Sequence, residues 1–291
     1  MSDIDSESNG FIPFRGYRMW YRIIGDLKEA ASGKFPVLAL HGMPISHQSL
    51  EPLSRLIDTG RPVIFFDQLG CGNSDQPDDH SIWSWELFVD QLATVREALN
   101  LNHVHLFGHS FGGMISLDYM LTKPSGIVSL TLHSTPVSAA LFFAEWSRLE
   151  SELPLDVQEI LALHEAEGTT DDPAYQEARE VFDQQHIWRL DPLPDYLQQS
   201  LENMQVAEFD FGDWDVRSRL GEIDIPTLIT SGRYDTVTPM MAEIVRDGIA
   251  GSEWVLFEDS SHYAHAEEPE RFLSTVDDFL TRVEQRYTGR N

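Results

Sequence analysis

Ser110 stands in Gly108-His109-Ser110-Phe111-Gly112, between the apolar run His103 to Phe107 and a helix-like stretch beginning at Gly113. That setting describes a nucleophile elbow, a serine raised on a tight strand-to-helix turn whose small flanking residues permit backbone angles that a Cβ would forbid. A serine hydroxyl is a weak nucleophile at its free pKa and needs a neighbouring base. Later parts of the chain supply the missing residue types. The apolar run Pro226 to Thr230 leads through Ser231-Gly232-Arg233-Tyr234 to Asp235, and the run Glu253 to Phe257 leads through Glu258-Asp259-Ser260-Ser261 to His262. Each residue thus falls on a loop just past a strand end. His262 would accept the serine proton during attack and return it to the leaving group. Asp235 would hold one ring N–H, select the tautomer and stabilise the imidazolium. His265, three residues on, is the rival imidazole. The oxyanion of the tetrahedral intermediate needs two backbone donors. The candidates are Phe111, after the nucleophile, and Met43, in the loop His41-Gly42-Met43-Pro44 that follows Val37 to Leu40.

These loops need a scaffold with several buried strands. Phe35 to Leu40, Pro62 to Phe66, His103 to Phe107, Val128 to His133, Pro226 to Thr230 and Glu253 to Phe257 are short, β-rich and nearly uniformly apolar, as buried parallel strands are. Gly10 to Gly25 alternates apolar and polar residues around Arg15-Gly16 and predicts an initial hairpin. Between strands, Trp85, Phe88, Val89, Leu92, Val95 and Leu99 follow a 3.6-residue period and predict a helix over 83–99. The alternation predicts an α/β fold with a mostly parallel, eight-stranded sheet flanked by helices. The rhythm breaks from Pro136 to about Asp215, where helical periodicity and several prolines occur without a convincing strand. Residues 1–135 with 216–291 therefore read as the core domain, and 136–215 as a helical cap over the site. The cap aromatics Phe142, Phe143, Trp146, Tyr175, Phe182, Trp188 and Tyr196 serve packing first. Trp146 and Trp188 are taken as pocket residues.

The formal net charge is −28, with only three lysines, Lys28, Lys34 and Lys123. Nucleic acid and anionic membrane surfaces both need a basic footprint and are excluded as partners. The excess is concentrated: Val137 to Asp215 holds nineteen Asp plus Glu against three Arg and no Lys, a net of −16. Such a segment either draws cations towards the site or keeps helix faces solvated. The opening MSDIDSESNG lacks a signal-peptide pattern, and no apolar run reaches membrane-spanning length. Cys71 stands alone, and no Cys/His cluster has finger-like spacing. The expectation is a cytoplasmic protein that needs neither metal nor organic cofactor.

Across almost its whole length the chain resembles the prolyl aminopeptidase (proline iminopeptidase) branch of the α/β-hydrolase superfamily, whose chain order Ser, Asp, His it shares. His41-Gly42-Met43-Pro44-Ile45 is similar to the branch's HGGPG oxyanion loop, and Asp67-Gln68-Leu69-Gly70-Cys71-Gly72-Asn73-Ser74 to its DQRGCGRS. Gly212-Asp213-Trp214-Asp215 with Ile225-Pro226-Thr227-Leu228-Ile229 resembles the end of its cap and the next strand. Ser261-His262 with Glu267 and Pro269 resembles its histidine loop, which makes His262 the base and leaves His265 to the lid or pocket. The branch binds its substrate's free amine with two glutamates, and the corresponding places here hold Thr236 and Met204, with Glu202 or Glu208 as possible substitutes. Met43 and Ile45 stand where the branch has glycines and narrow the acyl pocket. The resemblance implies a serine hydrolase cleaving an amide or ester of a small molecule or short peptide end through an acyl-enzyme. The altered amine positions leave open an esterase, lactonase or specialised-metabolite hydrolase acting on a neutral apolar substrate. A non-catalytic ligand receptor on the same fold is the reading from another class.

Overall fold

Successive side chains of a strand point to opposite faces, so an unbroken apolar run supplies two hydrophobic layers at once. In β3 (Val37–Leu40), Val37 and Ala39 enter one buried cluster while Leu38 and Leu40 enter the other. β4 (Val63–Phe66) divides in the same way, Val63 and Phe65 against Ile64 and Phe66. The computed structural model, which describes residues 7–27, 33–43, 45–202 and 209–288, places these strands centrally in an eight-stranded sheet. The others are β1 (Glu7–Phe14), β2 (Tyr17–Ile24), β5 (Val104–His109), β6 (Ile127–His133), β7 (Thr227–Gly232) and β8 (Glu253–Phe257). Their order is β1-β2-β4-β3-β5-β6-β7-β8. Only β2 pairs antiparallel, with β1 and with β4; its hairpin to β1 turns at Arg15 and Gly16, both at positive φ.

Helices cover both faces. One face packs against α1 (Trp85–Ala98), α2 (Phe111–Leu121) and α7 (Pro239–Gly248). The other packs against α9 (Pro269–Thr288) and a 3-10 helix, His47–Thr59, for which the sequence reading specifies no element. Its buried Leu50, Leu53 and Leu56 recur every three residues, which is the 3-10 repeat rather than the 3.6 of an α-helix. α3 (Ala139–Glu150), α4 (Leu155–Glu167), α5 (Pro173–His186) and α6 (Asp195–Glu202) fill the interval between β6 and β7. Leu149, Leu153, Leu161, Ala178 and Phe182 form a small core of their own there. α8 (Ala264–Glu267) lies between β8 and α9. Among the described residues no helix is long and apolar enough to cross a membrane.

α9 is clipped to the sheet by a buried ionic group. Arg61 Nε and Nη2 donate to the two oxygens of Glu284 at 3.0 and 2.7 Å, and Phe35 N–H donates to Oε1 at 3.1 Å. Burial opposes the Glu284 charge, but the His105 and Arg61 hydrogen bonds with the Arg61 charge hold its pKa down to about 2. The stability this contributes is complete above the ordinary carboxylate range and is lost as pH falls from about 4.5 towards about 2. Glu284→Gln leaves the buried Arg61 guanidinium with Asp277 as its remaining carboxylate partner among the described residues, so urea denaturation is expected to show a loss of about 1–3 kcal/mol. The acid limb of the stability profile should flatten with it.

Candidate active site

Four segments meet at the C-terminal edge of the sheet, each following a strand: 41–43 after β3, Ser110 after β5, Asp235 after β7 and His262 after β8. Ser110 lies at φ 53°, ψ −120°, and α2 begins immediately after it at Phe111, two residues earlier than the sequence pattern indicates. A non-glycine residue held in so sparsely populated a region costs about 1–3 kcal/mol and persists only where its surroundings enforce it. Its N–H donates to His133 O at 2.9 Å, and its own carbonyl accepts from Gly113 and Met114 N–H at 2.9 and 3.1 Å. The Phe111 ring, packed 4.9 Å from Phe88 and 5.5 Å from Trp85, anchors the other side of the turn.

Two glycines let the segments converge. A Cβ on Gly112 would lie 2.5 Å from Leu40 O and 2.6 Å from His41 O, so only glycine brings the start of α2 against the 41–43 loop. A Cβ on Gly232 would lie 2.1 Å from Ser261 O, so the same holds where the Asp235 loop abuts the His262 loop. There His262 and Asp235, both buried, share a 2.7 Å hydrogen bond between Nδ1 and Oδ1. Oδ1 also accepts from Val237 N–H at 2.8 Å, while Asp235 Oδ2 is buried without a partner among the described residues. With Nδ1 donating to a carboxylate, Nε2 is the basic nitrogen. Ser110 and His262 line one cavity, and Ser110 Oγ makes no hydrogen bond among the described residues. Such contacts commonly tighten only when substrate is bound.

His265 lies elsewhere than the sequence reading places it. It is fully buried and is not among the cavity-lining residues; its Nε2 donates to Ser49 O at 2.8 Å and its Nδ1 meets His133 Nε2 at 2.9 Å. Each ring nitrogen is engaged, which leaves His265 no lone pair for substrate. Burial pushes its pKa down to about 4, and burial with neighbouring imidazoles holds His109 and His133 well below the ordinary range. The cluster behind His262 is therefore a packed set of neutral rings.

The 41–43 loop is clamped by the segment resembling DQRGCGRS. Gln68 N–H donates to His41 Nε2 at 3.2 Å, Gln68 Nε2 donates to His41 O at 2.9 Å, and His41 Nδ1 donates to Gly42 O at 2.6 Å. Asp67 anchors that segment by accepting from His47 N–H at 2.8 Å and Asn73 N–H at 2.9 Å. His41 is thus a scaffold residue. Cys71 is buried and burial raises its thiol pKa, which keeps it protonated and inert. Phe111 N–H belongs to the first turn of α2 and has no acceptor within that helix.

The cavity measures about 280 Å³ and is walled by Met43, Ile45, Phe142, Trp146, Ile187 and Trp188, with Ser110, His109, His262, Thr236, Tyr263 and Asp183 among its polar groups. A second compartment of about 100 Å³ opens from Ser110 and Met43 between Phe111, Phe142, Phe143 and Phe211. Trp146, Trp188 and Thr236, the candidates from the sequence, line the larger of these two spaces. Met204 and Glu208 lie outside the described residues, and Glu202 is exposed at the end of α6, away from the lining. Asp183 was missed. It is one of nineteen acidic residues in its segment, and no spacing distinguishes it from the others.

Residues 36–269 match the family model described as the alpha/beta hydrolase fold. The chain is 37% identical to a proline iminopeptidase of Heyndrickxia coagulans over 95% of its own length and 99% of the relative's. The chain belongs to the α/β hydrolases, in the proline iminopeptidase group. Among solved structures, VinJ superposes with a TM-score of 0.89 at 34% identity, over 95% of this chain and 99% of that one. The proline iminopeptidase of Mycobacterium smegmatis gives 0.87 at 30%, over 96% and 100%. In this hydrolase the end of α5 and the segment after it are tied to the loops that bear Asp235 and His262. His186 Nδ1 donates to Tyr234 O at 2.8 Å. Glu267 accepts Arg189 N–H at 2.6 Å, Ser261 Oγ at 2.6 Å and Ser261 N–H at 2.5 Å.

Proposed function

We propose that the hydrolase cleaves an amide or ester of a small molecule or short peptide end through a Ser110–His262–Asp235 relay. The observation that carries this reading is the buried 2.7 Å Asp235–His262 contact beside a cavity shared with Ser110. In the first half-reaction Ser110 Oγ bonds to the substrate carbonyl carbon as its proton passes to His262 Nε2. The carbonyl π electrons move to oxygen, where the Met43 and Phe111 amides receive the charge. Collapse expels the amine or alcohol, which takes the proton from His262 and leaves an ester on Ser110. Water repeats the sequence, releasing the acid and restoring the serine. Each step is charge-balanced within the site and routes every proton through one imidazole.

Residues 136–215 act in this reading as the cap that excludes water from the acyl-enzyme, over a core of 1–135 and 216–291. The relatives' name supports proline as the acyl residue. The cytoplasm, where a lone cysteine stays reduced, suits the single Cys71. The apolar lining and Thr236 favour a second reading, an esterase or lactonase for neutral acyl groups. Turnover of prolyl and alanyl arylamides against p-nitrophenyl esters and lactones decides between them. The expected result is arylamide turnover, with fluorophosphonate capture at Ser110. Ester and lactone turnover alone would support the second reading. Absence of capture would remove both in favour of a receptor.

A further inference from the structure

The larger cavity has a chemical asymmetry. Its described walls are mostly apolar or aromatic and include no Lys or Arg, yet one carboxylate, Asp183, faces into it from α5. Arg179 is its salt-bridge partner, one turn back, with Nε 3.2 Å from Asp183 Oδ1. That guanidinium is shared. Its Nη1 donates to Glu150 at 2.9 Å, and its carbon lies 4.6 Å from the centre of the Trp146 ring and 4.3 Å from that of Phe182. Two carboxylates thus divide one cation, leaving this corner of the cavity one negative charge in excess. Burial raises the Asp183 pKa and Arg179 only partly opposes that, as expected of a carboxylate short of counter-charge. Trp146 and Trp188 stand in the same walls, and aromatic faces attract cations.

We propose that Asp183 is the amine-binding residue of this hydrolase, receiving the protonated amine of an aminoacyl group whose carbonyl is presented to Ser110. The proposal rests on the Ser110 hydrolase reading and adds to it the residue that receives the substrate's charge. Asp183 and Ser110 line the same cavity of about 280 Å³, a space in which ammonium and scissile carbonyl fit as parts of one residue-sized unit, an α-amino or imino acyl group. This assigns the cation partner to α5, away in sequence from Thr236 and Met204, the places that correspond to the branch's glutamates, and accounts for a neutral Thr236 next to Asp235. Trp188 and Ile187, whose N–H groups donate to Asp183 O at 2.9 and 2.8 Å, hold that residue's backbone in place.

The test compares three substrates: alanyl p-nitroanilide, its N-acetyl derivative and p-nitrophenyl butyrate. In the wild type, N-acetylation is expected to lower kcat/KM at least tenfold. In Asp183→Asn, a near-isosteric change, the ratio of kcat/KM for the free-amine anilide to that for the ester is expected to fall at least ~30-fold, chiefly through KM. That is the low end of what losing one partner of a desolvated ion pair costs. Asp183→Glu should recover part of the ratio, which a merely structural role would not. The ester also reports that the variant is folded and its nucleophile competent. A ratio that moves less than threefold, or a wild type that turns over the ester but no free-amine anilide, overturns the amine assignment while leaving the hydrolase reading intact. Failure on every substrate, with no fluorophosphonate capture at Ser110, removes the hydrolase reading and this assignment with it.

Discussion

Ser110→Ala is expected to lower kcat/KM by roughly 10⁶-fold on any arylamide or ester substrate, because it deletes the covalent route and not merely a contact. The strained turn stays in place: its conformation is set by the hydrogen bonds of the Ser110 backbone and by the Phe111 ring, none of which uses the hydroxyl. Residual catalysis, from the oxyanion donors and substrate binding, should remain about 10³–10⁴ above water. Steady-state kinetics checks the size of the loss. Mass spectrometry of fluorophosphonate-treated protein checks its origin, with the adduct on the wild type and none on the variant. A loss below a hundredfold would mean that another residue is the nucleophile.

Asp235→Ala carries the second largest expected effect, roughly 10⁴-fold in kcat. The imidazole loses the partner that fixes its tautomer and the charge that balances its protonated form. The same variant also removes the acceptor of the buried His262 Nδ1–H and Val237 N–H, so it is expected to lose about 1–3 kcal/mol of stability. Asp235→Asn separates the two effects: its side-chain oxygen can still accept from Val237 N–H, so its Tm should change little while kcat falls to a similar extent. An Asn variant that keeps its activity would make Asp235 a structural residue. Combining Asp235→Ala with Ser110→Ala should give a protein no slower than Ser110→Ala alone, since the proposed relay works as a unit.

Much of this geometry was legible in the chain because buried parallel strands are uniformly apolar and their loops must emerge at one edge. That pattern sufficed to place Ser110, Asp235 and His262 past their strands, and the hairpin of β1 and β2 around Arg15-Gly16. Two kinds of information were hidden. Tertiary contacts decide which of two nearby imidazoles faces the cavity, and the engagement of His265 by Ser49 and His133 has no signature in the spacing of either residue. Likewise the importance of Gly232 comes from the backbone of residue 261 passing beside it, twenty-nine positions away. The 3-10 helix at His47–Thr59 escaped because three-residue recurrence of leucine around Pro52 resembles neither strand nor α-helix periodicity. Asp183 was obscured by its surroundings, since a functional carboxylate among many solvated ones differs only in where it points.

The ties between α5 and the two catalytic loops give this arrangement a mechanical meaning. Asp183 lies one turn before His186, whose ring grips the carbonyl of Tyr234, and Glu267 fastens Arg189 to Ser261. In the proposed mechanism the stretch that walls the cavity and the loops that bear Asp235 and His262 are thereby joined as one piece, so the position of a bound substrate is fixed relative to the groups that would act on it.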